Sequence, residues 1–123
     1  MAESGMMHIG ELAERTGLSL RTIRHYDEVG LVKPSGRSEG GFRQYDADDL
    51  SRLMLIRRMK PLGYTLEEMA ELLAVIDARQ GGDSTPESDA ALERFREDAA
   101  ARRRKLAEQL AMADEFIAQL EAR

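Results

Sequence analysis

Arginine, histidine and tyrosine side chains crowd the run from Arg21 to Tyr45, RTIRHYDEVGLVKPSGRSEGGFRQY. Guanidinium groups bond phosphate oxygens and can take guanine O6 and N7 bidentately, and a tyrosine hydroxyl can reach a phosphate. Such an alternation suits a surface that grips nucleic acid. Arg21 and Arg24 stand three apart and share a helix face, with His25 and Tyr26 beside them. A solvated arginine face with Tyr26 half-buried fits the same spacing. In GGFRQY, alternation along a strand puts Arg43 and Tyr45 on one side and Phe42 and Gln44 on the other. The expectation is that Phe42 anchors this segment on the core while Arg43 and Tyr45 face outward beside the helix.

Rigid elements must hold these side chains. Ile9, Leu12 and Ala13 recur at helical spacing, and Gly17 is placed to end that helix. Ser19 caps a second helix burying Leu20, Ile23 and Val29 and ending at Gly30. Two short helices about a glycine-containing turn read as a helix-turn-helix. Pro34, Gly36, Gly40 and Gly41, flanked by short apolar runs, predict a small hairpin wing with a flexible tip. Asp46 caps a third helix with Leu50, Leu53, Met54 and Met59 on its stripe, ended by Pro61 and Gly63. Thr65 and Glu68 form a capping box for a fourth helix burying Leu66, Met69, Leu72, Leu73 and Ile76.

The segment RQGGDSTPES, residues 79–88, has the composition of a hinge loop. From Asp89 to Arg123 there is no Gly or Pro, and Leu92, Phe95, Ala99, Leu106, Leu110, Ala113, Ile117 and Leu120 advance by threes and fours, with a gap at Arg102 and Arg103. A helix of some 30 residues is about 45 Å long, more than a small head can cover. Its stripe calls for a second copy. The organisation is therefore a flexible N-terminus (1–7), a head (8–78), a hinge (79–88) and a coiled-coil dimerisation helix (89–123). The fold class is mainly α with one β-hairpin.

The net charge of −5 is unevenly distributed. Residues 15–60 hold ten Arg or Lys against six Asp or Glu, whereas residues 65–123 hold eight against fourteen. Screening confines most of a surface field to about 8–10 Å, so a basic face on the first half can bind phosphate. The chain has no cysteine, which excludes disulfides, thiolate metal sites and cysteine redox sensing. His8 and His25 are far apart, and the methionines at helical spacing read as core filler, so no metal and no cofactor is expected. Carboxylates such as Glu67, Glu68 and Glu71 sit on solvated helix faces, and no nucleophile arrangement or phosphate-cradling loop appears. The expectation is a non-enzyme. No stretch of about 18 apolar residues is present, and the N-terminus lacks a secretory pattern, which predicts a soluble, cytoplasmic protein.

Three ordered blocks carry a family resemblance: IGELAERTGLSLRTIRHYDEVGL (9–31), KPSGR to GGFRQY (33–45) and DLSRLMLIRRMKPLGYTLEEMAELL (49–73). Over about residues 8–77 the sequence resembles the MerR family of bacterial winged helix-turn-helix transcription regulators, with a long helix following where that family keeps its dimerisation helix. The resemblance implies that the second helix enters the major groove and that Arg21, Arg24 and Tyr26 match DNA-contacting positions. It also implies a first wing carrying Arg43 and Tyr45, with Arg37 near its tip. Arg57 and Lys60 fall in a second wing, where Tyr64 reads equally well as packing. Ser19, Thr22 and His25 complete the expected DNA face. His25 stands where the family commonly has a second aromatic residue, and Pro61 is an unusual choice in the second wing.

Such regulators bind, as homodimers, a pseudo-palindromic site in an overlong promoter spacer and bend and untwist it for RNA polymerase. The resemblance thus implies double-stranded promoter DNA, a second copy and polymerase as partners, with two heads on an antiparallel coiled coil. It assigns no effector: a small ligand between coiled coil and head, a protein partner, or regulation by abundance all remain open. With no cysteine and the sequence ending at Arg123, the expectation is a regulator without the cysteine sensor or the large C-terminal domain of the family's metal and drug sensors. The rival readings are an architectural or recombination-accessory DNA-bending protein and a protein-binding coiled-coil adaptor.

Overall fold

The structure is a computed structural model that describes residues 5–123. It divides into two compact units, Met1–Leu73 and Ala74–Arg123. In the first, a short strand β1 (Met7–His8) leads into α1 (Ile9–Thr16) and α2 (Leu20–Glu28), followed by β2 (Gly36–Arg37), β3 (Arg43–Tyr45) and α3 (Ala47–Met59). A single 3-10 turn (Lys60–Leu62) precedes α4 (Leu66–Gln80), and α5 (Pro86–Glu121) completes the chain. This is the expected winged helix-turn-helix with a long C-terminal helix.

Local chemistry sets the boundaries. The His8 imidazole Nδ1 accepts from the Glu11 amide and caps α1, while Gly17 ends it in the left-handed region at φ 74°. Thr16, buried, lies 2.8 Å from the Leu12 carbonyl through its hydroxyl and accepts from the Leu18 amide, which ties the helix-turn-helix corner from within. Ser19 caps α2 by accepting from the Thr22 amide, and Asp46 and Asp49 form a reciprocal capping box on α3. The expected box between Thr65 and Glu68 is present.

The three strands form one antiparallel sheet in the order β1-β3-β2, with Met7 opposite Tyr45 and Arg37 opposite Arg43. Residues 1–4 of the segment expected to be flexible lie outside the described residues, but Met7 is paired and buried. Leu12, Ile23, Tyr45, Leu53 and Ile56 are the most enclosed apolar side chains. Two expected core residues of α2 differ, since Leu20 is 39% and Val29 49% exposed, and Leu66 of α4 is 40% exposed. Each lies in the first turn of its helix or just past the end, beyond the reach of the packed stripe.

In the second unit the interhelical segment is shorter than the sequence suggested. Helix α4 continues through Gln80, and Thr85 with Ser88 forms a capping box that starts α5 at Pro86, three residues before Asp89. Proline suits that first helical position because its missing N–H has no helical partner there. Gly82, at φ 79°, makes the turn, and Arg79 forms an ion pair with Asp89 across it. Helix α5 spans 36 residues, about 54 Å. Leu92, Phe95 and Ala99 are half-buried, whereas Leu106, Leu110, Ala113, Ile117 and Leu120 are exposed.

Candidate nucleic-acid interface

The expected DNA-facing residues fall into three groups. Arg21, Arg24 and His25 point outward from α2, as the arginine-face reading requires. Arg37, Phe42 and Arg43 of the wing join Arg24 and the β1–α1 junction, His8 and Ile9, around a groove of about 310 Å³. Arg57 is exposed near the end of α3, its guanidinium about 3.4 Å from where a Cβ on Gly17 would sit, so it flanks the helix-turn-helix corner. Lys60 follows, exposed, in the 3-10 turn that carries Pro61 at its second position.

Tyrosine is where the sequence reading must be corrected. Tyr26 is only 3% and Tyr45 0% exposed, so neither presents its ring outward. The expected facing does not hold: Tyr45 packs inward, Arg43 and Gln44 are both half-buried, and Phe42, outside β3, stands 72% exposed at the wing tip. Phe42 follows Gly40 and Gly41 in a turn beyond the sheet, with no core within reach, while Tyr45 pairs with Met7 at the sheet's centre. The tip itself is a hydrogen-bonded turn, with Gly41 N–H donating to Ser38 and Ser38 N–H to Phe42. Burial raises the pKa of both tyrosine hydroxyls above the ordinary value. The Tyr45 hydroxyl has no hydrogen-bond partner among the described residues. Tyr64 is buried and takes the packing role.

Asp27 decides what the wing arginines do. Its carboxylate accepts from Arg43 Nε at 2.7 Å and lies 3.6 Å from an Arg37 guanidinium nitrogen. Arg37 and Arg43 face each other across the β2–β3 ladder, a like-charge pairing that would be unfavourable alone. Asp27 offsets it and fastens the wing to the last turn of α2. The hydrogen bond to Asp27 raises the Arg43 pKa further above its ordinary value. Arg37 also donates to the Gly41 carbonyl at 3.1 Å, which braces the tip. A signal for Asp27 existed in the sequence, since it lies four residues after Ile23 and so on the inward flank of α2.

A second polar cluster fixes the wing's other root. The Ser35 hydroxyl lies 2.6 Å from Asp49 and 2.9 Å from Asp46, with one proton to share, so the loop before β2 is tied to the start of α3. Hydrogen bonds led by the Asp49 amide hold the Asp46 carboxyl below its ordinary value. Ser19 and Thr22, expected on the DNA face, spend their hydroxyls on each other at 2.9 Å within the α2 cap. Their role in this structure is to set where α2 begins.

Residues 7–75 match the family model described as MerR HTH family regulatory protein, and residues 50–123 match a model described as MerR, DNA binding. The chain is 35% identical over 116 residues to the HTH-type transcriptional regulator CueR of Salmonella typhi, covering 94% of this chain and 80% of that protein. It is 45% identical over 69 residues to the mercuric resistance operon regulatory protein of Bacillus cereus, covering 56% of this chain and 52% of that protein. Several such alignments span only about half the length of the curated relative. Among solved structures, HiNmlR, described as a MerR family regulator lacking the sensor domain and bound to promoter DNA, superposes with a TM-score of 0.72 at 26% identity, over 92% of this chain and 88% of that one. With the winged head observed and a family model running through it from Met7 to Val75, the chain belongs to the MerR family of helix-turn-helix regulatory proteins.

Proposed function

We propose that this protein is a DNA-binding transcription regulator that acts as a homodimer on promoter DNA, without catalysis. The observation that carries the reading is the convergence of Arg24 from α2 with Arg37 and Arg43 from the wing on one groove, beside exposed Arg21. Helix α2 would enter the major groove with Arg21, Arg24 and His25 toward base edges and phosphates, while the wing and Arg57 with Lys60 meet the backbone on either side. Tyr26 and Tyr45 support this surface from below. The division of labour is a head that reads, a short turn at residues 81–85 and a helix that pairs. The exposed apolar half of α5 supports a second copy, and HiNmlR supports promoter DNA as the ligand.

A dimer on a pseudo-palindromic site gains contacts by bending and untwisting the spacer between the heads, a deformation of order 1–6 kcal/mol. RNA polymerase is then the partner that uses the reshaped promoter. The test is footprinting of the purified protein on intergenic DNA upstream of its own gene and neighbouring genes. A protected, distorted site in a promoter spacer supports the reading; dispersed binding without one overturns it in favour of an architectural role. Binding that Arg24→Ala leaves unchanged, with no salt dependence, overturns the DNA interface altogether, because loss of one phosphate contact should flatten the salt slope by about one.

A further inference from the structure

Helix α5 carries its charge in two blocks. Residues 94–105 hold six basic and two acidic side chains, and residues 106–121 hold four acidic and no basic ones. The helix dipole does not account for this order, because it favours cations in the last turn, where α5 has none and carries Glu121 instead. Intrahelical pairing accounts for only part of it. Arg102 bonds Asp98 and Arg96 reaches Glu93, but among the described residues Arg103, Asp114 and Glu121 have no ion-pair partner.

Position on the helix makes the pattern specific. At about 100° per residue, Arg96, Arg103, Asp114 and Glu121 all fall on one flank of the stripe that carries Leu106, Leu110, Ala113 and Ile117. The basic pair is seven residues apart, and so is the acidic pair. Two identical helices packed antiparallel bring the same flank of each together. One offset then places Arg103 beside Asp114 of the partner and Arg96 beside Glu121 of the partner, each twice by symmetry. That offset also sets Leu106 against Leu110 of the partner and Ala99 against Ile117 of the partner. Ala113 of the partner faces Arg103, and its small side chain leaves the guanidinium room to reach Asp114. A parallel pair would instead oppose Arg103 to itself in the gap of the apolar stripe.

We infer that this flank is a self-complementary register code, in which Arg96 and Arg103 of one copy pair with Glu121 and Asp114 of the other and fix the direction and offset of the α5 dimer. The inference rests on the homodimer reading above. Charged flanking positions set orientation and register more than strength, since each exposed pair is worth little alone. In a two-headed reader, register fixes the distance between heads and hence the half-site spacing.

Two experiments on the full chain test it, and the lack of cysteine makes the first clean. In the variant carrying both Ala99→Cys and Ile117→Cys, mild oxidation should give covalent dimer. Neither single variant should, because each cysteine lies about 27 Å along the helix from its own copy. Crosslinking by a single variant means parallel pairing and overturns the inference, as does a dimer by sedimentation in which the double variant fails to crosslink. The second experiment reverses the charges. Arg96→Glu with Arg103→Glu makes the flank wholly acidic, and Asp114→Arg with Glu121→Arg makes it wholly basic. Each should dimerise at least tenfold more weakly than the parent, and a mixture should form the heterodimer at least tenfold in preference to either homodimer. Absence of that preference overturns the register code. A parent chain that sediments as a monomer overturns the homodimer reading itself, a separate result.

Discussion

Asp27→Ala should unfasten the wing, and its cost can be worked from the contacts. The Arg43 bond is a charge-assisted hydrogen bond of 2.7 Å between side chains 24% and 13% exposed, so solvent screens it weakly. A bond of that kind contributes about 1.5–3 kcal/mol. The Arg37 contact, 3.6 Å long with a half-exposed guanidinium, adds about 0–1 kcal/mol after screening. Removing the carboxylate also leaves Arg37 and Arg43 opposed across the ladder, a penalty of about 0.2–1 kcal/mol. Together these give a loss of about 2–5 kcal/mol.

The assay is denaturant unfolding at one fixed protein concentration, because stability of an oligomer depends on concentration. Parent, Asp27→Ala, Arg43→Ala and the double variant form a cycle whose coupling energy should be about 1.5–3 kcal/mol. A coupling below about 0.5 kcal/mol would refute the argument, placing the pair with ordinary surface bridges. DNA titration supplies an independent reading. Removing an acidic residue from a phosphate-binding face should tighten binding if Asp27 merely competes with DNA for Arg43. If Asp27 positions the wing, binding weakens several-fold, and that is the expected result.

Three further outcomes follow from the head. Asp46→Ala removes an N-cap and should cost about 1 kcal/mol; because the folded Asp46 pKa lies below its ordinary 3.8, its contribution is full above that value and vanishes as pH falls through the lower one, so the difference between parent and variant should close in acid unfolding curves. Tyr45→Phe deletes a buried hydroxyl without a partner among the described residues and should leave stability unchanged or raise it by about 1–2 kcal/mol in the same denaturant assay; a loss above about 1 kcal/mol would show that the hydroxyl is bonded in solution. Gly17→Ala forces a Cβ into the left-handed region beside the Arg57 guanidinium and should lower stability by about 1–2 kcal/mol, measured by thermal unfolding.

Elements defined by local chemistry were readable in the chain. Gly17, Ser19, Asp46 and the Thr65–Glu68 box each mark a helix end through a bond that depends on neighbours a few residues away. What depended on tertiary partners was not. The two-residue strand β1 has no period to detect, and it exists because β3 lies beside it. Alternation predicts that Tyr45 and Phe42 face opposite ways, but only the sheet's position on the core decides which is inside. Counting on apolar spacing also missed Ile56, fully buried on α3, and credited Leu20 and Val29 with cover they lack.

The same limit explains why an arginine's task could not be read from the arginine. Arg21, Arg24, Arg43 and Arg103 are chemically identical, and all sit among residues that suit anion binding. Carboxylate placement separates them. Asp27, on the inward flank of α2, holds Arg43 and part of Arg37 in place on the wing, while Arg21 and Arg24, exposed on α2, stay available to a ligand. In α5 the acidic side chains nearest Arg103 on its own flank lie eleven residues and more along the helix, at Asp114 and Glu121, too far to fold back. An exposed guanidinium with no carboxylate in reach within its own chain can be answered by water or from outside the chain. Under the proposed function, that answer is phosphate for the head and a second copy for α5.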